Sequence, residues 1–244
     1  MKRYLTFLFV SAVLLSACNA KKEDSKPTGK LQGLHKYYFP DGKLYLEINY
    51  KDSVPHGTTK RYFKAGGLLE ESEYRNGILH GVSKTYYEDG TLSSQTPYDS
   101  GRIHGVRLKF RKDGKKTYEA PYHFGEPCHG LKEYFLSGKL VDNYPKIVVT
   151  PKNKILTDQQ YILEFSLSNK SKSVEFYHGT IAQGKCLTPA NAPMYTSQGV
   201  ARLFYFLPPN SYMMETVNVV ARIKTDLGNY YFREVSYNLA VENR

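Results

Sequence analysis

The chain has 244 residues, 41% of them hydrophobic and 23% charged, a balance that excludes both bulk disorder and a collagen-like repeat. The formal net charge is +11, from 34 Lys and Arg against 23 Asp and Glu, and the aromatic residues are 22 Tyr and 12 Phe with no Trp. This length is enough for one or two domains with a buried core.

The first 17 residues have the composition of a secretory signal peptide, because a basic start precedes a short apolar run and small residues. The apolar run, residues 5–15, is shorter than the roughly 20 residues that span a bilayer. The sequence Leu15-Ser16-Ala17-Cys18 resembles a bacterial lipobox, which implies cleavage before Cys18 and a lipid anchor on that residue. An ordinary exported protein with a Cys beside its cleavage site is the alternative.

Residues 18–30 are mostly polar and predict a flexible tether. Within it, Lys22-Glu23-Asp24 resembles the signal that exports some Gram-negative lipoproteins to the outer face of the outer membrane; that face and the periplasmic face both stay open. Cleavage removes two of the basic residues, Lys2 and Arg3, and leaves a net charge of +9. In the cell envelope we assign this charge to contact with anionic headgroups or glycans, and not to nucleic acid.

A repeat of 24 residues occupies residues 31–144. Its first glycine recurs at five positions, the last after a spacing of 25: Gly33, Gly57, Gly81, Gly105 and Gly130. A second glycine follows in every repeat: Gly42, Gly66, Gly90, Gly114 and Gly138. One β-hairpin per repeat accounts for this spacing, so five repeats predict about ten antiparallel strands in a single-layer solenoid.

The hairpin loops are predicted from Asp-Gly pairs such as Asp41-Gly42, which favour a two-residue type I′ turn. That turn places Phe39 opposite Leu44 and Lys36 opposite Glu47. The same register recurs in the next two repeats, as Lys60–Glu71 and Lys84–Gln95. The pairs Asn76-Gly77, Ser100-Gly101 and Phe124-Gly125 predict the return turns between hairpins.

The repeat resembles the MORN family, in the variant found in bacterial antitoxin-like proteins of the YwqK type. The resemblance rests on Gly-x4-aromatic-x3-Gly-x-Leu frames that begin at Gly33, Gly57 and Gly81. The fourth frame has Lys116 in place of the leucine, and the fifth is one residue short. The resemblance implies a β-hairpin array used for interaction. Export and lipid anchoring count against inhibition of a cytoplasmic toxin, because the two proteins would lie in different compartments.

Two groups of residues are candidate binding sites. The aromatic residue of each frame contributes to a candidate ligand or partner face: Tyr38, Tyr62, Tyr86, Phe110 and Tyr134. Arg107, Lys109 and Arg111 alternate on a predicted strand, so they share a face beside Tyr118. They form a candidate anion patch, with a solvated end of the solenoid as the alternative.

The repeat also carries histidines before its first glycines, at His56, His80, His104 and His129. Equivalent positions in successive hairpins are about 9.6 Å apart, too far to share one zinc ion. The sequence has no nucleophile elbow, phosphate loop or His-Glu-x-x-His motif. We therefore expect no metal, no cofactor and no catalytic residue.

Residues 145–244 lack the repeat and predict about seven short strands. Alternation in residues 161–167 puts Tyr161, Leu163, Phe165 and Leu167 on one face. The strand count favours a two-sheet β-sandwich of immunoglobulin-like topology, although the Cys and Trp hallmarks are absent. Cys128 and Cys186 either pair or stay as separate small buried residues.

The resulting prediction is an all-β, lipid-anchored envelope protein, in which hairpin repeats precede a sandwich. Its expected function is non-catalytic binding or scaffolding through the repeat sheet, with a protein or glycan as partner and the membrane reached through Cys18. Two alternatives remain. One is an antitoxin-type inhibitor of a partner protein, and the other is a carbohydrate-binding or carbohydrate-processing accessory with a site at the junction of the two domains.

Overall fold

A computed structural model describes residues 29–244. The predicted signal peptide, Cys18 and most of the tether lie outside these residues. Within them the chain is almost entirely β-structure in antiparallel sheets, which confirms the predicted fold class. No helix among residues 29–244 is long and apolar enough to cross a membrane.

The first sheet has eleven strands. They are β1 (Gly33–Tyr38), β2 (Leu44–Lys51), β3 (Val54–Tyr62), β4 (Leu68–Arg75), β5 (Ile78–Tyr86), β6 (Leu92–Asp99), β7 (Arg102–Ile103), β8 (Gly105–Phe110), β9 (Lys116–His123), β10 (Glu126–Pro127) and β11 (Lys132–Glu133). The order is β1-β2-β3-β4-β5-β6-β8-β9-β10, while β7 pairs with β6 and β11 pairs with β9. From β1 to β6, and again from β8 to β10, consecutive strands are hydrogen-bonded neighbours, as a chain of hairpins requires.

The predicted register of the charged pairs is confirmed. Lys36 lies opposite Glu47. The equivalent pairs of the next repeats, Lys60–Glu71 and Lys84–Gln95, lie opposite each other as well. The side chains that meet across these strands therefore recur every 24 residues.

The predicted type I′ hairpin loop is wrong. The N–H of Gly42 donates to the carbonyl of Phe39, and the N–H of Phe39 donates to the carbonyl of Lys43. Gly42 has φ +83°, whereas Asp41 does not have a positive φ. This is a three-residue loop closed by a glycine bulge, and it places Tyr38, in place of Phe39, opposite Leu44. The shift between Tyr37 and Tyr38 absorbs the extra residue, so the inner register survives.

The type I′ conformation occurs instead at the return turns. Asn76 and Gly77 both have positive φ, 50° and 79°, between the paired residues Arg75 and Ile78. The N–H of Gly77 also donates to the carbonyl of Pro55 on β3, just after the preceding return turn, at 2.7 Å. Equivalent bonds recur one and two repeats later, as Gly101–Leu79 and Gly125–Ile103. These backbone hydrogen bonds therefore connect consecutive repeats at the ends of the strands where the return turns lie.

The repeat sheet is a single layer without a large apolar core. Its most buried positions in the middle repeats are hydroxyl side chains: Ser72, Ser83, Ser93, Ser94 and Thr96. The Ser72 and Ser83 hydroxyls are hydrogen-bonded at 2.8 Å, so the buried oxygens have partners. An apolar cluster begins only at Tyr118, Ala120 and Leu131, near the end of the sheet.

Seven further strands and one short helix follow. They are β12 (Ile147–Lys154), α1 (Ile155–Asp158), β13 (Gln160–Leu167), β14 (Val174–His178), β15 (Thr196–Ser197), β16 (Val200–Phe206), β17 (Ser211–Lys224) and β18 (Tyr230–Asn243). They form one sheet in the order β12-β13-β16-β15 and another in the order β14-β17-β18. Lettered A to G in chain order, these are sheets ABED and CFG, the arrangement of an immunoglobulin constant-type sandwich.

The sandwich is built around a dry apolar core. Phe165 and Leu163 from β13 pack against the opposite sheet, where Phe176, Val219 and Ala221 are equally buried. The alternation seen in residues 161–167 is therefore confirmed as the inner face of β13. The sequence did not predict α1, a single turn in the connection between β12 and β13.

Candidate functional site

The predicted aromatic face is exposed only at the start of the repeat sheet. Tyr38 on β1 keeps 52% of its surface exposed. Tyr62 is partly buried and donates a 2.7 Å hydrogen bond to Glu47 of the preceding repeat. Tyr134 does the same with Glu119, also at 2.7 Å. Tyr86 and Phe110 are partly buried too. Tyr62 and Tyr134 therefore connect neighbouring hairpins.

The pKa values of these tyrosines and of their carboxylate partners reflect the contacts between them. Burial, together with the hydrogen bond to Glu47, raises the pKa of Tyr62 to about 12. The hydrogen bonds from Lys36 and Tyr62 lower the pKa of the Glu47 carboxyl. The pKa of Tyr134 rises to about 12, by burial first and then by its bond to Glu119. Each pair thus keeps a neutral phenol beside an ionised carboxylate.

A row of opposed charges crosses the same face of the sheet. Lys36 Nζ lies 2.9 Å from Glu47, and Lys60 Nζ lies 3.8 Å from Glu71. Lys60 is flanked by Glu47 on one side and Glu71 on the other. Lys36 has Glu47 on one side and no described strand on its other side. The first lysine of the row therefore lacks the second carboxylate neighbour that Lys60 has.

This difference marks β1 as the open edge of the repeat sheet. Its outer side is paired with no other described strand, and Leu34, Tyr37 and Tyr38 are exposed on it. The opposite end of the sheet is unsuited to strand addition. The β10 strand contains Pro127, which has no backbone N–H to donate, and the next residue is held in the disulfide Cys128–Cys186. Among residues 29–244, the β1 end is therefore the end of the repeat sheet at which another strand can add.

The candidate anion patch is split by the structure. Arg107 and Lys109 lie on the face that carries Tyr118, as predicted; the Arg107 guanidinium lies 6.0 Å from that ring. Arg111 lies beyond the end of β8, where its N–H donates to the carbonyl of Lys115 and closes the hairpin loop. The Arg111 guanidinium instead donates to the carbonyl oxygens of Tyr134 and Phe135 in the next hairpin. Arg111 is therefore a contact between repeats, separate from the other two cations.

The repeat histidines lie against the following return turn. His56 Nδ1 accepts from the N–H of Asn76 at 3.4 Å, and His80 Nδ1 lies 3.6 Å from Asp99. His104 packs on Phe124 with 4.4 Å between ring centres. In the described part of the chain, no group of three His, Cys, Asp or Glu side chains is placed to hold a metal ion.

The junction between the repeat sheet and the sandwich is organised by two features. The disulfide Cys128–Cys186 connects the end of the sheet to the long connection between β14 and β15, so the open question of these cysteines is answered by pairing. The second feature is Glu133, which is 4% exposed and accepts hydrogen bonds from three side chains: Tyr144, Thr225 and Asn229, at 2.9, 2.7 and 2.8 Å.

Sequence reasoning missed Glu133 as a junction residue. Its three donors come from distant parts of the chain, and residue spacing gives no indication of that convergence. The one signal was the irregular fifth frame, where Gly130 follows Gly105 after 25 residues and Tyr134 comes one position early. That irregularity falls where the sheet stops and the sandwich begins.

Comparison with known families agrees with the repeat geometry. A family model described as a MORN repeat variant matches residues 27–52, 55–76 and 79–100. The chain therefore carries three repeats of this variant, and such repeats indicate a binding or scaffolding role. The fourth and fifth hairpins lie outside the match, yet Gly114 and Gly138 make the same loop hydrogen bonds as Gly42. No curated protein matches the chain.

Proposed function

We propose that the chain is a lipid-anchored, non-catalytic binding protein of a Gram-negative cell envelope, which holds a partner protein at the β1 edge of its repeat sheet. The lipobox-like residues Leu15–Cys18 support the anchor. The open edge with its incompletely paired Lys36 is the observation that carries the binding role. A single-layer sheet suits such a role, because it offers backbone N–H and C=O groups along an unpaired strand.

The chemistry of the edge defines the partner. A segment that adds to β1 as an extended strand satisfies its outward backbone groups. An acidic residue opposite Lys36 continues the row in which Lys60 lies between Glu47 and Glu71. Exposed Tyr37 and Tyr38 add contact area for apolar neighbours of that acidic residue. The partner is thus an extended, acidic and partly apolar peptide segment.

Site-specific photo-crosslinking in cells tests this proposal. A crosslinking side chain replaces Tyr38 in the full-length protein, and adducts are analysed by mass spectrometry. We expect an adduct with an acidic extended segment, at least about tenfold weaker in Lys36→Glu, since reversal places like charges opposite each other. The matched control is Lys60→Glu, which disturbs the same row inside the sheet. No adduct, or equal loss in both variants, contradicts the proposal.

The anchor is tested in the same cells by fractionation. Cys18→Ser removes the acceptor of the lipid, so we expect the protein and its adduct to leave the membrane fraction. Loss of incorporated labelled fatty acid accompanies that shift. A Cys18→Ser chain that stays in the membrane fraction contradicts lipid anchoring and leaves the edge-binding result to be judged separately.

A further inference from the structure

A cavity of about 730 Å³ lies at the junction between the repeat sheet and the sandwich. It is lined by the last hairpin of the repeat sheet, by the connecting segment 141–146, by the loop after β13 and by the β17–β18 turn. Its volume is within the range of about 300–1,000 Å³ that is common for small-molecule sites, and domain junctions are a frequent location for them. The cavity does not involve the β1 edge.

The rear of the cavity is fixed by Glu133. All three of its hydrogen-bond donors come from the surrounding elements, so the carboxylate holds the walls together. Tyr144 stacks on Tyr231 at 3.8 Å between ring centres, with an angle of 12° between the planes. Two aromatic rings and a buried carboxylate therefore pre-organise this side of the site.

The charges of the lining balance. Lys146, Lys224 and Arg233 supply three cations, and Glu133, Asp142 and Asp226 supply three carboxylates. A cavity built for phosphate or for a polyanion needs an excess of cations, which this one lacks. The equal mixture of donors and acceptors favours a ligand that both donates and accepts hydrogen bonds, as hydroxyl groups do.

Arg233 offers hydrogen-bond donors to the cavity. One terminal nitrogen donates to the carbonyl of Tyr144 at 3.3 Å, and the guanidinium lies 5.5 Å from the Tyr231 ring. Its Nε is buried without a hydrogen-bond partner among the described residues, so it is out of reach of a ligand in the cavity. The remaining N–H groups of the terminal nitrogens are the donors available to an acceptor on a ligand.

The lining also offers amide groups and an aromatic platform. Asn143 and Asn169 lie on the rim, and Asn169 uses Oδ1 to accept from the Ser171 N–H, which leaves its NH₂ group directed to other partners. Phe135 lines the cavity with 44% of its surface exposed. An exposed ring beside planar polar groups matches a ligand with an apolar ring face and hydroxyl groups at its edge.

We infer that this junction cavity is a binding site for a neutral saccharide. Arg233 and Asn169 donate to its hydroxyl groups, and Phe135 packs on the apolar face of a sugar ring. This goes beyond the proposed role of the β1 edge, and it gives a location and a ligand class to the carbohydrate-binding alternative that the sequence left open. It assigns no hydrolytic step.

Calorimetry and ligand-detected NMR on the full chain test the inference. The probes are cellobiose, maltose and N,N′-diacetylchitobiose, with glucuronate and inorganic phosphate as anionic comparisons. We expect at least one neutral disaccharide to bind, and binding to weaken at least about tenfold in Phe135→Ala and in Arg233→Lys. The matched control is Leu136→Ala, which removes a neighbouring side chain, 82% exposed, that does not line the cavity.

Three outcomes overturn the inference. One is that no neutral disaccharide binds at about 10 mM. Another is tighter binding of glucuronate or phosphate than of every neutral probe. The third is binding that stays unchanged in both cavity variants, which places the saccharide elsewhere. Thermal unfolding of each variant is measured first, and a Phe135→Ala chain that unfolds like Leu136→Ala makes the comparison valid. Because Lys36→Glu leaves the cavity intact, failure here and failure of edge binding are distinguishable.

Discussion

The repeat sheet and the sandwich are both antiparallel β-structures, yet they are stabilised in different ways. In the middle of the repeat sheet the buried side chains are serines and a threonine, held by hydrogen bonds across strands. In the sandwich they are Phe165, Phe176, Val219 and their neighbours, packed between two sheets. The sheet depends on turns, register and pairs of polar side chains, whereas the sandwich depends on apolar area removed from water.

This difference has a consequence for cooperativity. Each hairpin of the repeat sheet contacts its neighbours, so loss of one contact destabilises only the adjacent hairpins. The sandwich core is shared by both sheets, so loss of one large side chain destabilises the whole sandwich. Equal changes in side-chain size should therefore have unequal effects in the two regions.

The largest expected effect is in the sandwich. Phe165 is fully buried, so Phe165→Ala removes its packing and leaves a cavity, with an expected loss of about 3–5 kcal/mol in the free energy of unfolding. Chemical denaturation monitored by circular dichroism measures it. The matched control is Phe204→Ala on β16, whose ring is 63% exposed and whose loss should cost less than about 1 kcal/mol. Similar losses in the two variants would contradict the single-core account.

An intermediate effect is expected at the hairpin turns. Gly90 has φ +83°, and a Cβ added there meets no atom within 4 Å, so Gly90→Ala tests backbone strain alone. We expect a loss of about 1–2 kcal/mol. Gly90→Asn is the control, because Asn tolerates the left-handed region better and should lose less. Native-state hydrogen exchange should show the loss of protection in β5 and β6, with the sandwich amides unchanged. An equal loss of protection in the sandwich would contradict the view that each hairpin is stabilised by its neighbours alone.

The smallest expected effect concerns pH. The Tyr62 pKa of about 12 exceeds its ordinary value of 10.0, so in strong alkali the unfolded chain ionises first. The stability due to this tyrosine is fully present below pH 10 and is lost as the pH rises through 12. Tyr62→Phe should cost about 1 kcal/mol at neutral pH and lose less stability than the native chain between pH 10 and 12.

Thermal unfolding at several pH values measures this difference. Tyr38→Phe serves as the control, because the Tyr38 ring is exposed and its hydroxyl makes no hydrogen bond to another described residue. Its unfolding should follow the native chain at each pH. Equal alkaline profiles for the native chain and for Tyr62→Phe would show that the bond to Glu47 does not carry the effect.

Much of the repeat region was predictable because its information is local. The spacing of Gly42 and its equivalents gave the hairpins. The assumed two-residue loop gave the Lys36–Glu47 register, which is correct because the shift between Tyr37 and Tyr38 absorbs the extra loop residue. The type of the hairpin loop was predicted wrongly, because an Asp-Gly pair fits either a type I′ turn or a glycine bulge, and only the count of residues accommodated in the strands separates them. The open edge at β1 follows from strand order, since the first strand of an unclosed meander has one neighbour.

The candidate sites were less predictable. Alternation placed Arg107 and Lys109 correctly, but Arg111 lies in the hairpin loop beyond the end of β8, where strand alternation no longer sets the direction of a side chain. The junction of the two domains was one alternative site in the sequence, but none of the residues that line its cavity was predicted to lie there. Arg233 and Phe135 are almost a hundred residues apart in the sequence, and no spacing rule relates them.

The sequence by itself determined the all-β class, the 24-residue hairpin period, the register of the charged row and the inner face of β13, since each depends on residues close in the chain. Only the tertiary structure decided the pairing of Cys128 with Cys186, the strand order of the sandwich and the convergence of Glu133 with its donors. These depend on how distant segments pack, and packing energies between segments leave no periodic signal in the sequence. The tyrosines belong to both groups: their period is set by the sequence, whereas the structure shows that Tyr62 and Tyr134 connect neighbouring hairpins and that Tyr37, Tyr38 and Tyr45 are exposed.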